Sequence, residues 1–160
     1  MYGSHRGERS VQRYNPLKAP DPKEWLELDE QERIGLLQDY HRRARIRLPN
    51  EKLHATIHAI VETQIALGDE TPERRIAQRL IGEGLDRHDA IHAIGMVLAE
   101  HMNDMLKTTK SAEDPNAPYF AALERLTRKI GGGWVMGSSA PIFGPERPFS
   151  IKRPFAVRYS

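Results

Sequence analysis

The string His-x-x-Ile-His-Ala-Ile occurs twice, from His54 to Ile60 and from His88 to Ile94, so four of the seven histidines fall into two matched pairs. A spacing of four residues advances an α-helix about 40° past a full turn, and each pair therefore projects from one face. Two such helices side by side bring four imidazoles toward one point. Glu62 extends the first pair to His54-x3-His58-x3-Glu62, adding a carboxylate over two turns as a ligand, a base, or a partner that fixes an imidazole tautomer. The candidate metal ligands are His54, His58, Glu62, His88 and His92. The implied cofactor is a divalent metal, zinc first, because imidazoles with a carboxylate suit its tetrahedral preference, and iron or manganese next. His41 stands on another helix and His101 points to the far side of its own, so neither joins the set.

A structural role competes with this chemistry, since histidines along an apolar margin commonly make ordinary hydrogen bonds and a repeated string can reflect repeated helix packing. His88-Asp89-Ala90-Ile91-His92 invites comparison with the zinc-protease pattern His-Glu-x-x-His, but Asp89 is one methylene shorter than the glutamate that activates water there. Asp89 follows the N-cap candidate Asp86 by three residues, where an acid already favours the backbone donors and the helix dipole. Ser138 and Ser139 lack a strand-turn-helix elbow. Gly131-Gly132-Gly133 lacks the lysine of a phosphate-binding loop.

The elements that must position these residues are helices. Asp21-Pro22-Lys23-Glu24 and Asp29 with Glu32 are start signals, the first for a short turn carrying Trp25 and Leu26. The second opens an amphipathic helix with Ile34, Leu37 and Tyr40 on one stripe, ending about Ala44. Pro49 and Asn50 open the first paired helix, with Leu53, Ile57, Ile60, Val61 and Gln64 facing inward, His54 and His58 along the margin, and a stop at Gly68. Thr71-Pro72-Glu73 begins another helix, which ends near Gly82-Glu83-Gly84. Asp86 caps the second paired helix, where the histidines fall closer to a buried stripe of Ile91, Leu98 and Met102. Gly95 and Ala99 there leave space for a neighbour or a ligand. Tyr119, Phe120, Leu123, Leu126 and Ile130 mark a last helix, stopped by the three glycines. The expected fold is all-α, a compact bundle of about five helices.

At 160 residues without cysteine, the chain is long enough for one core and excludes disulfides and thiolate ligands. No secretory signal or long apolar run is present, so a cytoplasmic protein off the membrane is expected. The net charge of +2 hides a segregation: residues 1–20 carry +3, residues 128–160 carry +5, and the stretch between carries −6. Residues 1–20 are expected as an extended basic arm anchored by Tyr14 and Leu17, residues 21–130 as the helical domain, and residues 131–160 as an extended docking arm. Five glycines and four prolines in that last segment exclude a long helix, yet Trp134, Phe143, Phe149 and Phe155 are too apolar for an ordinary tail. Phe149-Ser150-Ile151 can form an edge strand.

The segment "LHATIHAIVETQIALGDETPERRIAQRLIGEGLDRHDAIHAIGMVLAEHM", residues 53–102, resembles the bacterial family called domain of unknown function 1841. The resemblance lies in the leading histidines, the "VETQ" segment and the histidine-rich helix after "GLDRHDA". It implies a small helical bacterial protein and brings no catalytic assignment. Two functions from different classes follow from the residues: a metal protein of unassigned reaction, and an accessory subunit that binds a protein partner or a second copy through residues 131–160, with structural histidines. Nucleic acid is a further partner class, supported by arm charge and stacking aromatics without a recognised motif.

Overall fold

The computed structural model describes residues 13–108 and 113–127. Six α-helices follow in order, α1 (Pro22–Glu27), α2 (Glu30–Arg43), α3 (Glu51–Ala66), α4 (Glu73–Gly82), α5 (Arg87–Lys107) and α6 (Ala117–Arg125), with a 3-10 turn at Gly68–Glu70. The described residues contain no strand, and the class is all-α. Five of the helices are those expected, and the sixth is the short turn around Trp25. The 131–160 arm, its edge strand and residues 1–12 of the N-terminal arm lie outside the described residues. No helix among the described residues is long and apolar enough to cross a membrane.

The helix starts follow from side-chain caps. Asp21 accepts from the Glu24 N–H and Asn50 from that of Leu53, while Asp86 accepts from that of Asp89. Asp29 and Glu32 form a reciprocal capping box, which satisfies donors that the first turn leaves without an intrahelical partner. At the other end of α2 the Arg45 N–H donates to the Arg42 carbonyl and the Ile46 N–H to the His41 carbonyl, with Arg45 at φ 54°. This is the doubly bonded left-handed helix ending in which glycine is usual, and it fixes the backbone of His41. Gly68, at φ 72°, takes the same region just after α3. A side chain there is strained by the backbone and its Cβ would also crowd the Arg74 guanidinium at 3.2 Å.

α3 is the central element, with α1 and α2 on one side and α4 and α5 on the other. One apolar cluster joins Ile57 and Val61 of α3 to Ile76 and Leu80 of α4, Ile91 and Ile94 of α5, and Leu123 of α6. The other joins Ala55 and Ala59 of α3 to Trp25, Leu28, Ile34, Leu37 and Tyr14. Trp25 is fully buried. Its indole N–H donates to the Thr63 hydroxyl, and Arg33 ties the Trp25 carbonyl to the same hydroxyl. Three elements are thereby locked at one point.

Several expectations change. Tyr14 is an anchor of the N-terminal segment, but Leu17 is 60% exposed. Met102, expected in the buried stripe of α5, is exposed together with Met105 and Leu106. α6 stops at Arg125, where Leu126 turns to an extended conformation and is itself buried; Ile130 lies outside the described residues. Arg79 reaches the carbonyl of Leu123 and satisfies an acceptor of that last turn.

Candidate metal centre

Sandwiching α3 between two helix layers makes both its sides interior. His54 and His58, expected on a margin, are buried, as are Ala55, Ala59 and Glu62. Leu53, Ile60 and Gln64, expected to face inward, are only partly buried. The expected depths of the two pairs are reversed: His54 and His58 are buried, whereas His88 and His92 are partly exposed. Each pair occupies the first two turns of its helix, but α3 is covered by α1 and α2 as well as by α4 and α5.

His58 is the hub. Its ring centroid lies 4.7 Å from that of His54, 4.7 Å from that of His92, 5.3 Å from that of His88 and 5.8 Å from that of His41. His88 and His92 are 4.3 Å apart, and His41 and His54 are 4.7 Å apart. Among the described residues the sets able to hold an ion are two triads, His41–His54–His58 and His58–His88–His92, with the ligand atoms of each within 4.8 Å of one another. Tetrahedral zinc with Zn–N of about 2.0–2.1 Å needs nitrogens roughly 3.3 Å apart, a contraction within reach of modest side-chain rotations. Four imidazoles meeting at one point are therefore replaced by a cluster of five, with four arranged around His58.

The fifth is His41, which sequence reasoning left out. Its signal was present: Ile34, Leu37 and His41 occupy i, i+3 and i+7, and these are the buried residues of α2. Assigning the stripe to Tyr40 hid it. Tyr40 lies beside the cluster instead, edge-on to His41 and His88 at ring distances of 5.6 and 5.9 Å.

Burial, then the neighbouring imidazoles, holds His58 and His92 well below the usual histidine value. Burial lowers His41 to about 4, with a further push from His88. It also brings His88 to about 4, against the opposing attraction of Asp86. At neutral pH these four rings are uncharged, which is the form that binds a metal. A neutral imidazole also carries one N–H donor and one acceptor. Both nitrogens of His41 and of His58, and Nε2 of His88, are buried without a hydrogen-bond partner. Each such atom costs about 1–3 kcal/mol if nothing compensates it.

Glu62 stands one turn beyond His58 and belongs to neither triad. Its Oε1 accepts from the Tyr14 hydroxyl at 2.5 Å and from Arg87 at 2.7 Å, and its Oε2 accepts from Arg87 at 2.7 Å. Burial and the adjacent carboxylate push the Tyr14 hydroxyl well above its usual value. Arg87 also donates to the Pro16 carbonyl, so the forked pair ties α3, the N-terminal segment and the start of α5 together beside His88. Glu62→Gln is expected to lower stability by about 3–5 kcal/mol in urea denaturation, because Arg87 loses its buried counter-charge. It is expected to leave metal stoichiometry unchanged. A loss of metal with little loss of stability would make Glu62 a ligand.

Asp89 has its N–H bonded to the cap Asp86, as first-turn geometry requires. His101 lies outside the cluster, stacked on Tyr119 at 5.5 Å. Tyr119 donates to Gln64, and burial followed by the nearby Glu73 raises its hydroxyl well above the usual value. No family model, curated protein or solved structure matches the chain.

Proposed function

We propose that the protein is a metal-binding helical protein whose five-histidine cluster takes a divalent transition-metal ion. The observation that carries this is His58, fully buried at the overlap of both triads with neither ring nitrogen hydrogen-bonded. A structural histidine is retained by the hydrogen bonds it makes, and a ligand histidine by the lone pair it offers. His58 fits the second description. Zinc is the first choice, since imidazole nitrogen suits it and neither triad supplies the oxygen donors that manganese prefers; iron follows zinc on the same ground. His41, His54, His58, His88 and His92 are the ligand set, and Glu62 with Arg87 and Tyr14 positions the helices that carry it.

The test is elemental analysis of protein purified without a nickel column, joined to thermal unfolding with added zinc, iron or manganese. At least one equivalent of metal, or a clear upward shift with one of these ions, is expected. Substoichiometric metal together with no shift for any of them overturns the proposal.

A further inference from the structure

Resting on that metal reading, we infer that His58 bridges two ions, one enclosed with His41 and His54, the other with His88 and His92 and open to a small exogenous anion. An imidazole presents two nitrogens on opposite sides of its ring, and both are available at His58. The two triads share this residue and no other. Two ions drawn one to each triad would therefore meet at one ring.

The chemistry balances without a redox step. When the second dication binds, the remaining N–H bond of His58 breaks, its proton passes to solvent, and the freed lone pair forms the new metal–nitrogen bond. The ring then carries one negative charge between two dications. That charge matters here because neither triad contains a carboxylate, and Glu62, one turn beyond His58, is held by Arg87. A bound cation dominates the local electrostatics of such a site, so excess positive charge favours an anion at any open coordination position.

The two positions differ in access. His41, His54 and His58 are all buried, while His88 and His92 are partly exposed. Sites with three protein ligands and an open position are those that admit water or another small ligand. The His88–His92 side is the less enclosed of the two and is where such a position would lie, while the His41–His54 side is closed.

Copper(II) titrated into the metal-free full chain, with azide as the anion, tests the arrangement. The expected result is two equivalents bound, with the integrated electron paramagnetic resonance falling below the copper content as the second equivalent enters. Azide adds an absorption band. His41→Gln should bind one equivalent and keep the azide band, and His88→Gln should bind one and lose it. His58→Gln should show resonance proportional to whatever copper it binds. One equivalent in the wild-type chain or resonance that tracks copper throughout overturns the bridge, and an azide band surviving in His88→Gln overturns the assignment of the open position, each leaving metal binding intact. No copper bound, with the zinc, iron and manganese assays also blank, overturns the metal reading itself. The wild-type titration decides the bridge even if a variant fails to fold, and helical circular dichroism identifies such a variant.

Discussion

Saturating zinc raises the unfolding midpoint of the wild-type chain by roughly 8–16 °C and leaves that of His58→Leu unchanged. The magnitude follows from mass action: ligand at about a thousand times its dissociation constant adds about 4 kcal/mol. Each kcal/mol shifts the midpoint by roughly 2–4 °C in a chain of this size. The substitution acts in opposite directions on the two states. Without metal, leucine removes two buried unpaired nitrogens while nearly keeping side-chain volume, so His58→Leu is expected to be about 1–2 kcal/mol more stable than wild type. With metal the order reverses, because the hub of both triads is gone. If His58 were held by hydrogen bonds, its loss would destabilise the metal-free protein and the zinc response would have no reason to vanish. Scanning calorimetry of the two proteins, each with chelator and with zinc, distinguishes these outcomes. A metal-free variant less stable than wild type, combined with an intact zinc shift, would make the cluster structural.

Much of the architecture was legible because it depends on local rules. Asp29 with Glu32, Asn50, Asp86 and Gly68 mark helix ends by backbone hydrogen bonding and φ alone, and a single sequence carries that information. The pairing of His54 with His58 and of His88 with His92 is equally local, being one helical turn. What escaped was layer order. Whether a helix is covered on one side or two depends on elements distant in the chain, and α3 is covered on both by helices whose order in space no periodicity reports. That single fact buried His54 and His58, reversed the depths of the two pairs, and placed α2 where His41 completes the cluster. Glu62 was selected for its spacing, but its partners Tyr14 and Arg87 lie 48 and 25 residues away, and such contacts are tertiary. The exposed run of Met102, Met105 and Leu106 shows the same limit, since an apolar stripe gives the face of a helix and not how far its neighbours extend.

Acid is expected to unfold the metal-free protein earlier than its helical core would suggest. The folded state holds His41 and His88 at about 4 against an ordinary 6.5, with burial as the main cause. Between these values the unfolded chain binds protons that the folded chain refuses, so stability rises with pH across the window and is lost as pH falls from 6.5 toward 4. Below about 4 both states are protonated at these two positions and the loss levels off. At pH 5 each of the two contributes a loss of about 2 kcal/mol relative to neutral pH. His58 and His92, lowered for the same reason, act in the same direction. That is a large part of the 5–15 kcal/mol typical of a folded domain. Urea denaturation of the chelator-treated protein at pH 7 and pH 5 measures the sum, and the same pair of measurements on His41→Leu isolates one ring. The variant is expected to lose about 2 kcal/mol less than wild type between the two pH values. Equal losses in the two proteins would mean that His41 charges freely in the folded state, and hence that the cluster is wetter than its burial indicates.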